Sequence, residues 1–191
     1  MTNVTTSASG GGANYGVTNR WTEVRMSNVT ASASSSADSV ESAAVYNDGS
    51  TVLMTGGSAG AVGAANAYGI LNKYSTVTLA GVSIHASGAG NASWGVATWE
   101  STLTTRDSVI EAMGEGSCGM YHYAPSGSYT STIDHSRITA GVVTVKCDGA
   151  YTVLVGASQL IGTHLGGDGT IQCAGVYDED YVFYPGPDCP Q

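Results

Sequence analysis

Along this chain a short apolar alternation returns at a nearly fixed interval. The triplets Val24-Arg25-Met26, Val52-Leu53-Met54, Val77-Thr78-Leu79, Leu103-Thr104-Thr105, Ser131-Thr132-Ile133 and Val153-Leu154-Val155 each turn their first and third residues to one side and the middle residue to the other, which is the strand period. A further inward aliphatic follows several of them, at Ile84, Ile110, Ile138 and Leu160. Between the two apolar segments the aligned position reads Asn3, Asn28, Gly56, Gly81, Asp107, His135 and Ala157. Asn, Asp and Gly tolerate left-handed backbone and bond locally, so this column predicts a tight corner. A third column places an aromatic or small residue, then usually Gly, then an aliphatic: Tyr15-Gly16-Val17, Ala43-Ala44-Val45, Tyr68-Gly69-Ile70, Trp94-Gly95-Val96 and Cys118-Gly119-Met120, with looser copies at Asp148-Gly149-Ala150 and Ala174-Gly175-Val176. The mean interval is roughly 26 residues, within the range of solenoid repeats.

Short strands joined by Gly, Asn and Ser corners, returning once per interval, describe a chain that stacks each coil on the last. The pattern predicts an all-β, right-handed parallel β-helix of about seven coils. Residues 1–172 form the coils, and residues 173–191 form a terminal coil with a disulfide-tied C-terminal cap. An antiparallel sandwich would show hairpin signals between strands, and Gly and β-branched residues interrupt every helical window.

Composition narrows the partners. The 191 residues include 27 Gly, only 11% are charged, and the net charge of −9 leaves six Lys and Arg. Scattered cations on an acidic chain do not suit a phosphate backbone, so nucleic acid is not an expected partner. No run of 18 apolar residues is present, so no membrane-inserting helix is expected. The opening Met1–Gly12 segment lacks the basic and apolar regions of a signal peptide, as expected of a cut made inside a longer protein.

The units Met26-Ser27-Asn28-Val29-Thr30-Ala31-Ser32-Ala33 and Asn14-Tyr15-Gly16-Val17 resemble the repeats of bacterial and phage tail-fibre-like or adhesin-like right-handed β-helix proteins. The ending Cys173-Ala174-Gly175-Val176-Tyr177-Asp178-Glu179-Asp180-Tyr181, closed by Cys189, is similar to a terminal element that follows such repeats. The resemblance implies a structural role outside the cell, on a cell surface or on a virion. It supplies no catalytic residue and no cofactor.

Five groups of residues are candidates for chemistry. Aligned on their following glycines, Cys118, Cys147 and Cys173 share one edge, which suggests the disulfides Cys118–Cys147 and Cys173–Cys189; without a paired CxxC or a nearby histidine a metal site is not expected. Trp94, Trp99, Tyr121 and Tyr123, with Tyr129, fall in two neighbouring coils and form either a glycan-contact patch or the filling of a widened coil. Arg106 and Asp134 align in adjacent coils beside Asp107 and His135, an acid, base and anion-clamp set for polysaccharide cleavage or a surface ion pair beside a corner histidine. Thr51, Thr76, Thr102, Thr130 and Thr152, with Thr78, Thr104 and Thr132, form a hydroxyl and methyl array of the kind found in ice-binding solenoids, or simply good outward strand residues. The acidic stretches Glu111 with Glu115 and Asp178-Glu179-Asp180 suit either Ca²⁺ or solvation, without the spacing of an EF-hand loop. The expected function is an extracellular structural or adhesive module contacting glycans without catalysis. The alternatives are a polysaccharide lyase or hydrolase and an ice-binding solenoid. Open coil ends also permit a homo-oligomer or filament.

Overall fold

Winding is decided at the corners. All seven residues of the predicted corner column adopt left-handed backbone, with φ of 53° at Asn3, 50° at Asn28, 64° at Gly56 and at Gly81, 51° at Asp107, 44° at His135 and 42° at Ala157, and Gly175 continues the column at 68°. Each turns the chain from one flat wall into the next. The result, in a computed structural model that describes residues 1–190 apart from 37–40, 64, 89–91 and 163–164, is a parallel β-solenoid of about six turns.

Three walls enclose the core. Wall A stacks Asn14–Arg20, Ser42–Asp48, Asn66–Lys73 and Ala92–Trp99, then the leading parts of Cys118–Asp134 and Val143–Gly156. Wall B stacks the leading parts of Glu23–Ser35 and Thr51–Gly63, then Thr76–Ala80, Thr102–Arg106, the trailing parts of Cys118–Asp134 and Val143–Gly156, and Thr170–Ala174. Wall C stacks Thr5–Gly10, the trailing parts of Glu23–Ser35 and Thr51–Gly63, then Ser83–Gly88, Val109–Met113, Arg137–Ala140 and Gln159–Ile161. Among the described residues there is no helix, and the antiparallel pairing lies in the last segment, where Val176 and Tyr177 face Tyr184 and Phe183. About six turns form rather than seven because the outermost coils are partial. Thr5–Gly10 contributes a wall C strand alone, and the last wall A strand shrinks to Leu165–Gly166.

The alternation on wall B is as the sequence predicts. Met26, Val52, Met54, Val77, Leu79, Leu103, Ile133, Val153 and Val155 are buried and meet Ile84, Ile110, Ile138 and Leu160 from wall C. The glycine column of wall A has a steric cause. A Cβ on Gly69, Gly95 or Gly119 would strike the γ2 methyl of Ile84, Ile110 or Ile138 and a carbonyl oxygen of the next coil. Wall A therefore approaches wall C at the one place per coil where a side chain is missing.

The two looser copies are corrected by the register. Cys118 and Met120 face Val143 and Val145, so Val143-Thr144-Val145 continues the wall A column, and Asp148 lies opposite Tyr123. Ala174-Gly175-Val176 belongs to the corner after wall B, since Ala174 pairs with Gly156. The same shift overturns the Cys118–Cys147 pairing. Cys147 faces His122, four positions along the strand from Cys118, a separation of about 13 Å that no disulfide spans. Both are buried free thiols, their pKa raised mainly by burial, to about 12 for Cys118 and about 11 for Cys147. Cys173–Cys189 is formed and closes a separation of 16 residues; the Cys173 amide also donates to Pro187 O at 3.1 Å.

Polar ladders run through the stack. After three successive wall A strands a serine hydroxyl, of Ser50, Ser75 and Ser101, donates to the carbonyl two residues back and accepts the amide of the preceding coil, from Thr22, Ser50 and Ser75, as in Ser50 N to Ser75 Oγ (3.1 Å) and Ser75 N to Ser101 Oγ (3.0 Å). Ser108, Ser136 and Ser158 repeat the device after wall B. Inside wall A, Asn19 Nδ2 donates to Asn47 Oδ1 at 2.8 Å and Asn47 Nδ2 to Asn72 Oδ1 at 2.7 Å, all three buried. Register continues this column through Thr98, His122 and Cys147.

Candidate functional site

Outside wall A, the strand period and the coil spacing together bring the aromatic residues into one ladder. Tyr15 stacks on Tyr46 at 5.0 Å between ring centroids, and Tyr68 stacks on Trp94 at 4.7 Å. Trp94 continues to Tyr121 at 6.2 Å and Tyr121 to Tyr123 at 6.4 Å, while Trp99 stands edge-on to both Tyr68 and Tyr121. The structure thus brings Trp94, Trp99, Tyr121 and Tyr123 together on one outer face. The rings of Trp94 and Tyr121 are mostly occupied by their neighbours, which stabilises the face by about 0.5–1.5 kcal/mol per pair beyond burial. Tyr129 is separate, stacking inward at 6.1 Å on the buried Tyr151.

Cations and carboxylates border the ladder. Lys73 Nζ lies 5.6 Å from the Tyr46 ring centre and 5.1 Å from that of Trp99, Arg20 lies over Tyr46, and Lys146 over Tyr121. Burial, with the Glu41 carboxylate, holds the Tyr15 and Tyr68 phenols above their ordinary range; burial and Asp148 do the same for Tyr121. These hydroxyls are therefore neutral donors at any physiological pH. Where the ladder meets the corner into wall B, Lys73, Tyr74, Trp99, Glu100, Tyr123 and Pro125 line a shallow groove of about 320 Å³. Ser126 Oγ donates to Glu100 Oε1 at 2.8 Å and holds that carboxylate at the groove. Tyr74 and Glu100 were not evident in the sequence because they occupy corner positions outside both strand columns. Aligning them one residue after each wall A strand, with Trp21 and Gly49, and just before Ser50, Ser75 and Ser101, would have found them.

The other candidates lie elsewhere. Arg106 and Asp134 are paired in register on wall B, with Asp107 and His135 in the following corner. Asp134 Oδ2 lies 3.0 Å from His135 Nδ1, and more than half of each of these two side chains is exposed. Arg106 and Asp134 border a shallow hollow of about 350 Å³, and bulk water reaches the Asp134–His135 pair that acid–base chemistry would need shielded. Glu111 is engaged by Arg137 at 3.4 Å and faces His85 at 3.8 Å. Asp178 organises the terminal turn: Oδ1 accepts the amides of Asp180 and Val182, each at 2.9 Å, and Oδ2 accepts Tyr184 OH. Among the described residues no three His, Cys, Asp or Glu side chains converge as a metal site.

The threonines form a longer array than the five aligned copies predict. Thr51, Thr76, Thr102, Thr130, Thr152 and Thr170 stand in register along wall B, and Leu53, Thr78, Thr104, Thr132, Leu154 and Gln172 form the parallel outer rank. These two ranks carry no charge over these six strands; in the first coil register continues them to Glu23 and Arg25, and Arg106 and Asp134 stand in the next outer rank.

Among the described residues no helix is long and apolar enough to cross a membrane, and the disulfide is of the type that persists in oxidising compartments. Comparison with protein-family models, with characterised proteins and with solved structures returns no match.

Proposed function

We propose that this chain is an extracellular structural module with an adhesive face: a stiff β-solenoid spacer, on a cell or virion surface, whose wall A contacts glycans without chemistry. The observation that carries the reading is the aromatic ladder with its groove, where Trp99 and Tyr123 offer ring surface beside Lys73 and Glu100. Pyranose rings present C–H faces to aromatic rings and hydroxyls to charged side chains, so this mixture suits a carbohydrate better than a purely apolar partner. Catalysis is the weaker reading, because Asp134 and His135 lie against each other on an exposed corner, open to bulk water.

The test is a panel of plant and bacterial polysaccharides followed for retention and for released reducing or unsaturated ends. Retention without release is expected, weakened at least fivefold by Trp99→Ala or Tyr123→Ala. Release that His135→Ala abolishes would replace this reading with the enzymatic one.

The six-threonine rank, flanked by Thr78, Thr104 and Thr132 in three consecutive coils, favours a second reading, ice binding, in which the middle of wall B orders water on a hydroxyl and methyl lattice. Slowed ice recrystallisation by the wild type, lost in Thr104→Lys, is the expected result; a wild type that leaves ice growth unchanged removes this reading.

A further inference from the structure

The corner from wall A into wall B is built from unusual residues. Trp21, Gly49, Tyr74 and Glu100 occupy it in four successive coils, all left-handed, with φ of 51°, 59°, 53° and 47°. The conformation itself is required: each amide donates to a carbonyl of the next coil, Trp21 to Asp48 at 2.9 Å, Gly49 to Lys73 at 2.9 Å, Tyr74 to Trp99 at 3.0 Å and Glu100 to Tyr123 at 2.9 Å. The residue type is not. The opposite corner meets the same demand mostly with Asn, Gly and Asp, whereas a bulky side chain in left-handed backbone costs about 1–2 kcal/mol.

Burial does not offset that strain. Trp21 is 76% exposed and Tyr74 60% exposed. The Trp21 indole lies across Gly49, where any Cβ would run into its six-membered ring, so the indole rests on bare backbone with the rest of its surface in water. Two coil steps along, roughly 10 Å at the spacing of adjacent strands, Tyr74 opens the groove formed with Lys73, Trp99, Glu100, Tyr123 and Pro125. Platform and groove lie in line with the solenoid axis. Strained, exposed side chains that the fold does not need mark places kept for binding.

We infer that this corner is a binding site for an extended, uncharged polysaccharide lying parallel to the solenoid axis. The Trp21 indole stacks under one pyranose ring, Tyr74 and Trp99 flank the next units, and Glu100 and Lys73 bond their hydroxyls. An uncharged chain is favoured because the charges along the strip cancel, Arg20 and Lys73 against Asp48 and Glu100, and the protein as a whole carries a net charge of −9, which leaves no local cationic excess to hold a polyanion. The inference rests on the glycan-contact reading and places its subsites.

Substituting glycine tests it, since Trp21→Gly and Tyr74→Gly remove the rings and relieve the backbone together. The intact chain and the double variant are compared by affinity electrophoresis through gels containing hydroxyethylcellulose, xylan or glucomannan, with alginate as the anionic control, and by thermal unfolding. The expected result is at least tenfold weaker retardation by a neutral polysaccharide, with Tm unchanged or raised. Full retardation of the double variant would place the site elsewhere on wall A and overturn this inference while leaving the glycan reading intact. A lowered Tm would assign the two rings to packing and overturn it also. No retardation of the wild type by any polysaccharide would overturn both, and retardation by alginate alone would overturn the uncharged class.

Discussion

A single methyl group added at Gly95 is expected to destabilise the solenoid by about 3 kcal/mol, the upper part of the usual range for overpacking a core. The new Cβ meets the Ile110 γ2 methyl and the Gly119 carbonyl oxygen, and the carbonyl belongs to a backbone held on both sides by neighbouring coils. For a chain of this length that corresponds to a Tm lower by about 6–12 °C in a circular-dichroism melt. Ile110→Leu, which lacks the γ2 methyl, is expected to return part of the loss when combined with Gly95→Ala, because one of the two collisions disappears. Gly60→Ala is the matched control: nothing lies within 4 Å of its added Cβ, so stability should hold or rise by a few tenths of a kcal/mol. Equal melts for the Gly95 and Gly60 variants would show that walls A and C are not in close contact at the glycine column.

One buried side chain should add a distinct step to the acid sensitivity of the fold. His122 is fully buried in the wall A ladder, with Nδ1 2.7 Å from Thr98 Oγ1, its ring 4.9 Å from that of Tyr151, and no hydrogen-bond partner at Nε2. Burial lowers its pKa from 6.5 to about 3. Between those two values the unfolded chain binds a proton that the folded chain refuses, so stability falls as the pH falls through that window and levels off below about pH 3. The loss attributable to this residue approaches about 4–5 kcal/mol by its lower end. The difference from His122→Asn isolates the imidazole. Asparagine fits a column that already holds Asn19, Asn47 and Asn72, and the variant is expected to unfold at a lower pH than the wild type in a urea or thermal series. Coincident acid transitions would exclude His122 as their source.

Much of this architecture can be read from the chain because each coil repeats the same demands. The wall B triplets declare the strand period, and the corner from Asn3 to Ala157 declares itself through residues that accept left-handed backbone. Two features are illegible for opposite reasons. Thr144 stands where earlier coils carry glycine, so Asp148-Gly149 imitates the motif five residues late and misplaces Cys147 with it. Trp21 and Tyr74 share a corner with Gly49 and Glu100, and no common side-chain property links the four until their backbone angles are known. The polar interior is hidden differently: Asn47 and His122 lie at inward positions, where the alternation would place aliphatics. The aromatic cluster is legible as a cluster, but which rings face water depends on stacking between coils.

The serine columns have a direction. The amides of Ser50, Ser75, Ser108 and Ser136 each reach forward to a serine hydroxyl of the following coil, and the last coils are tied by the Cys173–Cys189 bridge. A coil is thus held at its corners by its successor, and the stack is anchored at the end where the chain is covalently closed. Under a pulling force the end remote from the bridge is therefore expected to fray first, which a single-molecule extension series with and without reductant would check.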